Sequence, residues 1–228
     1  MKKSNHTRFL FMIVGSCFLF MSFLSACTDD DDDDAYFFEN FDSYEANSTI
    51  AGQGGWETWD NSSDPDFDAP VSNARSHSSP NSLWVKDYSD VVHQFQTVNS
   101  GQWVAKAKIY IPSNQRGYFL FIILNQYVHH GGKNWSVQIS MSASSGYVYS
   151  LGGTDHESES RLPLITDAWV ELRVEIDLDN NHYTVYYNDQ KLDELPWTTT
   201  GLKEIQAIDL CSYGSSDSYF DDIELANK

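Results

Sequence analysis

The 228-residue chain is poor in basic residues, cysteine and proline, and each shortage removes a class of explanation. It carries 14 Lys and Arg against 33 Asp and Glu, a formal net charge of −19. Nucleic acid and anionic lipid are held by cationic patches, so this balance excludes nucleic acid as a partner and opposes direct adhesion to anionic membranes. Cysteine occurs only as Cys17, Cys27 and Cys211, too sparsely for a disulfide framework. The 6 prolines form no linker, and no amphipathic helical period stands out. Long apolar runs are also missing: the longest, Phe9 to Phe23, is about fifteen residues, short of the roughly twenty that a comfortable membrane span needs.

That run follows Lys2, Lys3 and Arg8, the charge-then-apolar order of an export signal. Acid rather than a basic stop comes after it, which argues against a retained span. Leu24-Ser25-Ala26-Cys27 resembles the bacterial lipobox, whose small residues fit the processing peptidase and whose thiol accepts a diacylglyceryl group. The resemblance implies that residues 1–26 are a signal peptide and that Cys27 becomes a lipidated N-terminus, with the membrane as a partner through its acyl chains. Two or more chains give stable anchoring where one is marginal. Thr28 and the block Asp29 to Asp34 repel any compact state, so residues 27–35 are expected to form an extended tether. The acidic tract is similar to the surface-export signals of Bacteroidetes lipoproteins, which implies an outer-membrane protein facing the cell exterior. Cleavage before Cys27 would remove three basic residues and no acidic one, leaving 11 against 33 and a net charge of −22. Cys211 would then be the one thiol of the domain, and its apolar run, Ile205 to Tyr213, marks it as a buried small hydrophobe.

Beyond the tether the period is that of strands. Trp103, Ala105, Ala107, Ile109 and Ile111 alternate with Val104, Lys106, Lys108 and Tyr110 before Pro112. Val170, Leu172, Val174, Ile176 and Leu178 alternate with Trp169, Glu171, Arg173, Glu175 and Asp177, and Tyr183 to Tyr187 returns after Asp179-Asn180-Asn181 as a hairpin. Asn188-Asp189 predicts a further tight turn before Lys191 and Leu192. Gly117 to Tyr127 is apolar on both faces, which places it centrally in a sheet or beneath loops. Other strands are expected at 82–87, 91–95, 135–141, 147–151, 205–213 and 219–225. Short strands at this spacing, with turn residues between them, predict one all-β domain over residues 36–226, built as two packed antiparallel sheets. Trp84, Trp103 and Trp169 are expected in its core.

Trp169 to Val174 followed by Tyr183 to Asp189 resembles a recurring hairpin of the concanavalin A-like lectin/glucanase superfamily. Phe38-Glu39-Asn40-Phe41 and Tyr219-Phe220-Asp221-Asp222-Ile223 are similar to the opening and closing strands of its laminin-G-like and MAM-like jelly rolls. The resemblance implies a jelly-roll β-sandwich with its first and last strands adjacent. It also nominates Glu39 and Asp222, with Asp221 as alternative, as ligands of a structural calcium ion, whose preferred ligands are oxygens. Strand alternation would turn Asp221 and Asp222 to opposite faces, so only one could serve. No other cofactor is implied.

Glucanases of the superfamily carry Glu-x-Asp-x-x-Glu, since glycosidic cleavage needs a carboxylate pair. The nearest stretch here, Glu175 to Asn180, ends in an amide and reads as a solvated outer face. A non-catalytic protein is therefore expected rather than a glycoside hydrolase or polysaccharide lyase. His129-His130 precede Gly131-Gly132 and read as loop rather than metal ligands, because adjacent strand residues point apart. The acidic stretch Asp60 to Asp68 lacks calcium-loop spacing and reads as a solvated loop. The aromatics best placed to stay exposed are Trp56 and Trp59, after a glycine cluster, and Tyr127 and Trp135, which flank the loop of His129, His130 and Asn134. Aromatic rings stack on the apolar faces of sugars, and amides and imidazoles satisfy hydroxyls. These seven residues form the candidate glycan site, with a neutral polysaccharide as ligand and an envelope protein as the rival partner.

Overall fold

Burial alternates most regularly in the segment Trp169–Asp177, where Val170, Leu172, Val174 and Ile176 are buried while the residues between them are half-exposed. That is the geometry of a strand packed on one side only. The computed structural model describes residues 36–152, 160–214 and 216–228. Cys27, the signal peptide and the tether lie outside the described residues.

Among these residues the strands in chain order are β1 (Phe37–Glu39), β2 (Trp56–Thr58), β3 (Val71–Ser72), β4 (Ser82–Val85), β5 (Asp90–Val98), β6 (Gln102–Tyr110), β7 (Tyr118–Tyr127), β8 (Lys133–Ser142), β9 (Tyr147–Ser150), β10 (Arg161–Pro163), β11 (Trp169–Asp177), β12 (His182–Tyr187), β13 (Gln190–Pro196), β14 (Ile205–Tyr213) and β15 (Ser218–Asn227). They form two sheets. One has eight strands in the order β13-β12-β11-β6-β15-β4-β3, with β1 also paired to β15, and the other has seven in the order β10-β9-β8-β7-β14-β5-β2. The pairings are antiparallel, as between β11 and β12 and between β14 and β7. The fold is the expected two-sheet antiparallel sandwich.

Facing residues of both sheets form one core, including Ile109, Leu172 and Val185 from the eight-stranded sheet and Phe119, Phe121, Ile139 and Leu210 from the seven-stranded one. Burying a side chain of this size stabilises by about 1.5–3 kcal/mol each. Asn188 and Asp189 both take positive φ, 49° and 59°, which suits the tight β12–β13 turn.

Two expectations about the core need correction. Trp103 is buried, but Trp84 and Trp169 lie half-buried on the outer face of the eight-stranded sheet, Trp84 stacked on Tyr219 and Trp169 tilted against Tyr110. Their large rings sit at outward positions of the pleat and cover neighbouring side chains instead of the core. The short strands β2, β3 and β10 carry too few residues to show a period of two, and the alternation does not announce them.

Candidate functional site

The doubly apolar strand β7 explains where the site forms. Phe119, Phe121 and Ile123 enter the main core, whereas Ile122 and Leu124 form a second buried cluster on the other side of the sheet with Val92, Ala207 and Cys211. Trp59, Trp135 and Leu120 pack onto that cluster while remaining half-buried. The outer face of the seven-stranded sheet is therefore an apolar floor beneath an aromatic cover.

The cover is held by a short 3-10 turn, Trp59–Asn61, in which Asp60 and Asn61 adopt left-handed φ of 54° and 53°. Such values are tolerated best by Asn and Asp. The Asp60 N–H donates to Tyr127 Oη at 2.9 Å, and its carboxylate accepts from the His130 N–H at 2.8 Å and Lys133 Nζ at 2.7 Å. Burial raises the Asp60 carboxyl, but Lys133 and the His130 N–H outweigh that and hold it below the usual aspartate range. Lys133 Nζ also lies 5.1 Å from the Trp59 ring centroid, a cation–π contact. Trp59 and Trp135 run nearly parallel, 10° apart with centroids separated by 6.3 Å. Tyr127 meets Trp59 edge-on at 5.2 Å.

Of the seven nominated residues, four gather here. His129 lies beside Tyr127 at 5.4 Å and contacts Glu57 at 3.1 Å and Gln94 at 2.9 Å through Nε2. His130 is exposed at φ 50° and contributes its backbone N–H to Asp60. Asn134 is half-buried, with Oδ1 close to Gly201, away from the Trp59 and Trp135 cavity described below. Trp56 is a plain correction: it is 1% exposed and packs against Phe41 and His93 inside the main core. In β2 it lies opposite His93 of β5, which fixes its ring inward, while Glu57 turns outward. The glycines before it serve the entry turn. A Cβ on Gly54, at φ +56°, would fall 1.9 Å from Tyr44 Oη.

Beneath Trp59 and Trp135 lies a cavity of about 280 Å3, floored by Leu120, Ile122 and Cys211 and reached by the polar side chains of Asp90, Gln138, Asp209 and Tyr213. Leu120 is shared with a second cavity of about 430 Å3, lined by Tyr118, Ser140, Ser142, Tyr149 and Leu151. Together they make a groove across the sheet. Tyr118 and Tyr213, 42% and 37% exposed, meet at 5.3 Å along it. A larger cavity of about 570 Å3, beside residues 51–58 and 61–65, is framed by Gly52, Gly55, Asn61 and Ser63 and exposes no aromatic platform.

Asp209 is the least expected member of the site. It is 2% exposed at the centre of β14, and burial together with Asp90 raises its carboxyl well above the usual range. Asp90 is raised chiefly by burial, and the two carboxyls are within hydrogen-bonding reach of each other. The same burial raises the Cys211 thiol, so it is no nucleophile at neutral pH. In the sequence the signal was an acid in an otherwise apolar run. Gln138, Tyr118, Tyr149 and Tyr213 left no such mark, because each occupies an ordinary outward position of its strand.

The glucanase-like stretch lies elsewhere. Glu175 belongs to β11 on the eight-stranded sheet, where it pairs with Arg173 and, at 2.9 Å, with Lys228. Asp177 accepts from Asn180 and Gln102.

The nominated calcium ligands each hold hydrogen-bond partners of their own. β1 and β15 are adjacent as expected, with Glu39 opposite Ile223. However, Glu39 accepts from the Phe41 N–H at 2.7 Å and from Tyr44 Oη at 2.5 Å. Asp222 instead meets His77 Nδ1 at 2.5 Å and Ser78 Oγ at 2.7 Å. Asp221 and Asp222 were expected on opposite faces, yet both reach Ser78, because the ladder is irregular between Asp221 and Glu224 and Asp222 takes φ 45°. Among the described residues, no three His, Cys, Asp or Glu side chains are grouped to hold a metal ion.

No protein-family model matches the chain, and no curated protein matches it either. Solved structures do. An endo-β-1,4-glucuronan lyase from the fungus Trichoderma reesei aligns over 85% of this chain and 96% of its own, with a TM-score of 0.54 at 10% identity. The carbohydrate recognition domain of Emp47p aligns over 84% and 95%, with a TM-score of 0.53 at 9% identity. A sialidase aligns over 85% of this chain with a TM-score of 0.55 at 10% identity, and the chain spans only 19% of that enzyme's length. At these identities the likeness is one of fold, and the fold is a jelly-roll β-sandwich of the concanavalin A-like type.

Proposed function

We propose that the domain is a non-catalytic carbohydrate-binding module, carried on an exported protein whose Cys27 is lipidated and holds it at the outer face of a bacterial outer membrane. The observation that carries the reading is the Trp59–Trp135 platform, with rings 10° from parallel and 6.3 Å apart, half-exposed at one end of a groove that continues to Tyr118 and Tyr149. Parallel aromatic faces above an apolar floor suit the flat apolar faces of pyranose rings, and Gln138, Ser140 and Tyr213 offer hydrogen bonds to hydroxyls. The fold neighbours include both carbohydrate-active and carbohydrate-recognising proteins. A net charge of −19 and acids on the groove floor work against sulfated and uronate-rich chains.

Absence of cleavage is the second part of the proposal. Glycoside hydrolysis uses carboxyls about 5–9.5 Å apart, with a sugar or water between them. Asp90 and Asp209 are diagonal neighbours across β5 and β14 whose carboxyls act directly on each other, a coupled pair rather than two acids set on either side of a sugar.

Purified protein applied to a glycan array, with calcium and again with chelator, tests the binding. Retention of a polysaccharide that carries no sulfate or uronate, lost in Trp59→Ala and Trp135→Ala, is expected. Absence of any glycan binding together with specific capture of an envelope protein would move the function to protein recognition. Release of reducing or unsaturated ends from any polysaccharide, abolished in Asp209→Asn, would make the protein an enzyme. Intact-mass analysis of membrane-extracted protein tests the anchor: the mature chain should begin at Cys27 and carry acyl mass.

A further inference from the structure

We propose that the cavity beneath Trp59 and Trp135 receives a protonated amine of the bound chain, so that the ligand is a glycan containing an amino sugar with a free ammonium group. The inference rests on the groove being the glycan site and adds which chemistry the groove selects.

Asp209 is 2% exposed, and the one charged partner that acts on its carboxyl is another acid, Asp90. Two carboxyls in contact share one proton and retain about one negative charge. Apart from each other, Oδ1 of Asp209 and Oδ1 of Asp90 are buried without a hydrogen-bond partner among the described residues, although both residues line the cavity. A buried acceptor left unmatched costs about 1–3 kcal/mol, more when charged. Lys133, the cation over the Trp59 ring, is tied to Asp60 at 2.7 Å and does not act on either acid.

Three kinds of donor could complete the pair. A hydroxyl satisfies one acceptor and leaves the charge uncompensated. Calcium takes about 6–8 oxygens, whereas here two carboxyls are joined only by the Gln138 amide and the Tyr213 hydroxyl. An ammonium brings one positive charge and three N–H donors, enough for both Oδ1 atoms. Its walls also fit, because indole faces such as Trp59 and Trp135 attract cations. At about 280 Å3 the cavity is smaller than the roughly 300–1,000 Å3 of pockets that enclose a whole small ligand. It suits one substituent of a longer chain that lies along the rest of the groove.

The test compares glucosamine oligomers, their fully N-acetylated counterparts and unsubstituted β-glucan oligomers, by calorimetry on the whole protein, on Asp209→Asn and Asp90→Asn, and on Trp135→Ala. Glucosamine oligomers should bind at least 10-fold tighter than acetylated ones, and either Asn variant should erase that preference by weakening the glucosamine oligomers. An unchanged far-UV circular dichroism spectrum shows that the variants fold. Equal binding of free and acetylated oligomers overturns the amine inference and leaves the groove reading standing. No binding of any oligomer, with Trp135→Ala indistinguishable from the native chain, overturns both. A calcium-dependent rise in melting temperature that disappears in Asp209→Asn would assign the pair to a metal ion and overturn the inference in that direction.

Discussion

The two outer faces of the sandwich are built from the same pleat and treat their polar groups in opposite ways. On the eight-stranded sheet, charges meet across strands: Lys108 with Glu171 at 3.0 Å, Lys106 with Glu224 at 3.2 Å and Lys228 with Glu175 at 2.9 Å. Its rings are covered too, with Arg75 lying 4.4 Å over Tyr110 and Trp84 stacked on Tyr219. On the seven-stranded sheet the rings stand at a groove, and the acids beneath them face each other. A face that serves only to meet water settles into local pairs. One that keeps buried acceptors unmatched carries a cost that folding alone does not explain.

Trp56 and Trp59 lie three residues apart in the chain and on opposite sides of this divide. Trp56→Ala should destabilise the domain by about 3–5 kcal/mol, the usual range for emptying a buried aromatic site. Trp59→Ala should cost far less, since that ring is half-exposed, yet it should strongly weaken glycan binding. Chemical denaturation and binding measured on the same samples separate the two effects. If both variants lost stability equally, Trp59 would be a core residue and the groove reading would weaken.

Next in size is the platform itself. Trp59→Ala and Trp135→Ala should each weaken binding about 100-fold, near 2–3 kcal/mol, as truncation of a central aromatic anchor does. Tyr149→Ala, at the far end of the groove, should weaken long oligomers and leave short ones nearly unchanged. Isothermal titration with chains of increasing length would show this.

Asp209→Asn should raise stability at neutral pH by about 1–2 kcal/mol, because it removes a buried charge that the protein leaves uncompensated. The sign with pH follows from the raised carboxyls of Asp209 and Asp90. A folded state that holds its proton more tightly than the unfolded chain is favoured below the ordinary aspartate range and loses that advantage as pH rises through the folded value. The gap between variant and native protein should therefore be small near pH 4 and full near pH 8. Asp60 adds a repulsive charge from the covering turn, and Cys211 and Tyr213 flank the pair on β14. Urea midpoints across this range would check it. A gap that shrinks with rising pH would mean that the pair is already compensated.

How much of this was legible varies with how local the cause is. The alternation in Trp169 to Asp177 is a property of consecutive residues, and it led directly to β11 and the sandwich. The two-faced apolarity of β7 was legible as well, although it could not say what covered the second face. Trp59, Tyr127, His129 and Trp135 were nominated from loop context and do come together, but Trp56 shared that context and went inward, because β2 is too short to reveal its facing. Asp90 and Asp209 are separated by most of the chain and meet only through the β5–β14 pairing. Nothing in either neighbourhood encodes the encounter. Likewise, the irregularity that brings Asp221 and Asp222 to Ser78 depends on a left-handed residue that strand alternation cannot anticipate.

The smallest expected effect tests the quieter half of the comparison. Lys108 and Glu171 sit opposite each other on β6 and β11 and pair at 3.0 Å, with both side chains about one-quarter exposed. Exposed and half-exposed pairs of this kind are worth about 0.2–1 kcal/mol, since water already solvates the separate charges and two long side chains must be ordered to meet. A double-mutant cycle with Lys108→Ala and Glu171→Ala should therefore give a coupling below about 1 kcal/mol, and raising the salt concentration should reduce it further. Arg173 will take part of the interaction with Glu171 in the Lys108 variant, because Nε lies 3.7 Å from that carboxylate. None of these changes should alter glycan affinity, as the opposite sheet carries the groove. A coupling above 2 kcal/mol, or a loss of binding in either variant, would show that the eight-stranded face is not a merely solvated surface and that the two faces are coupled through the core between them.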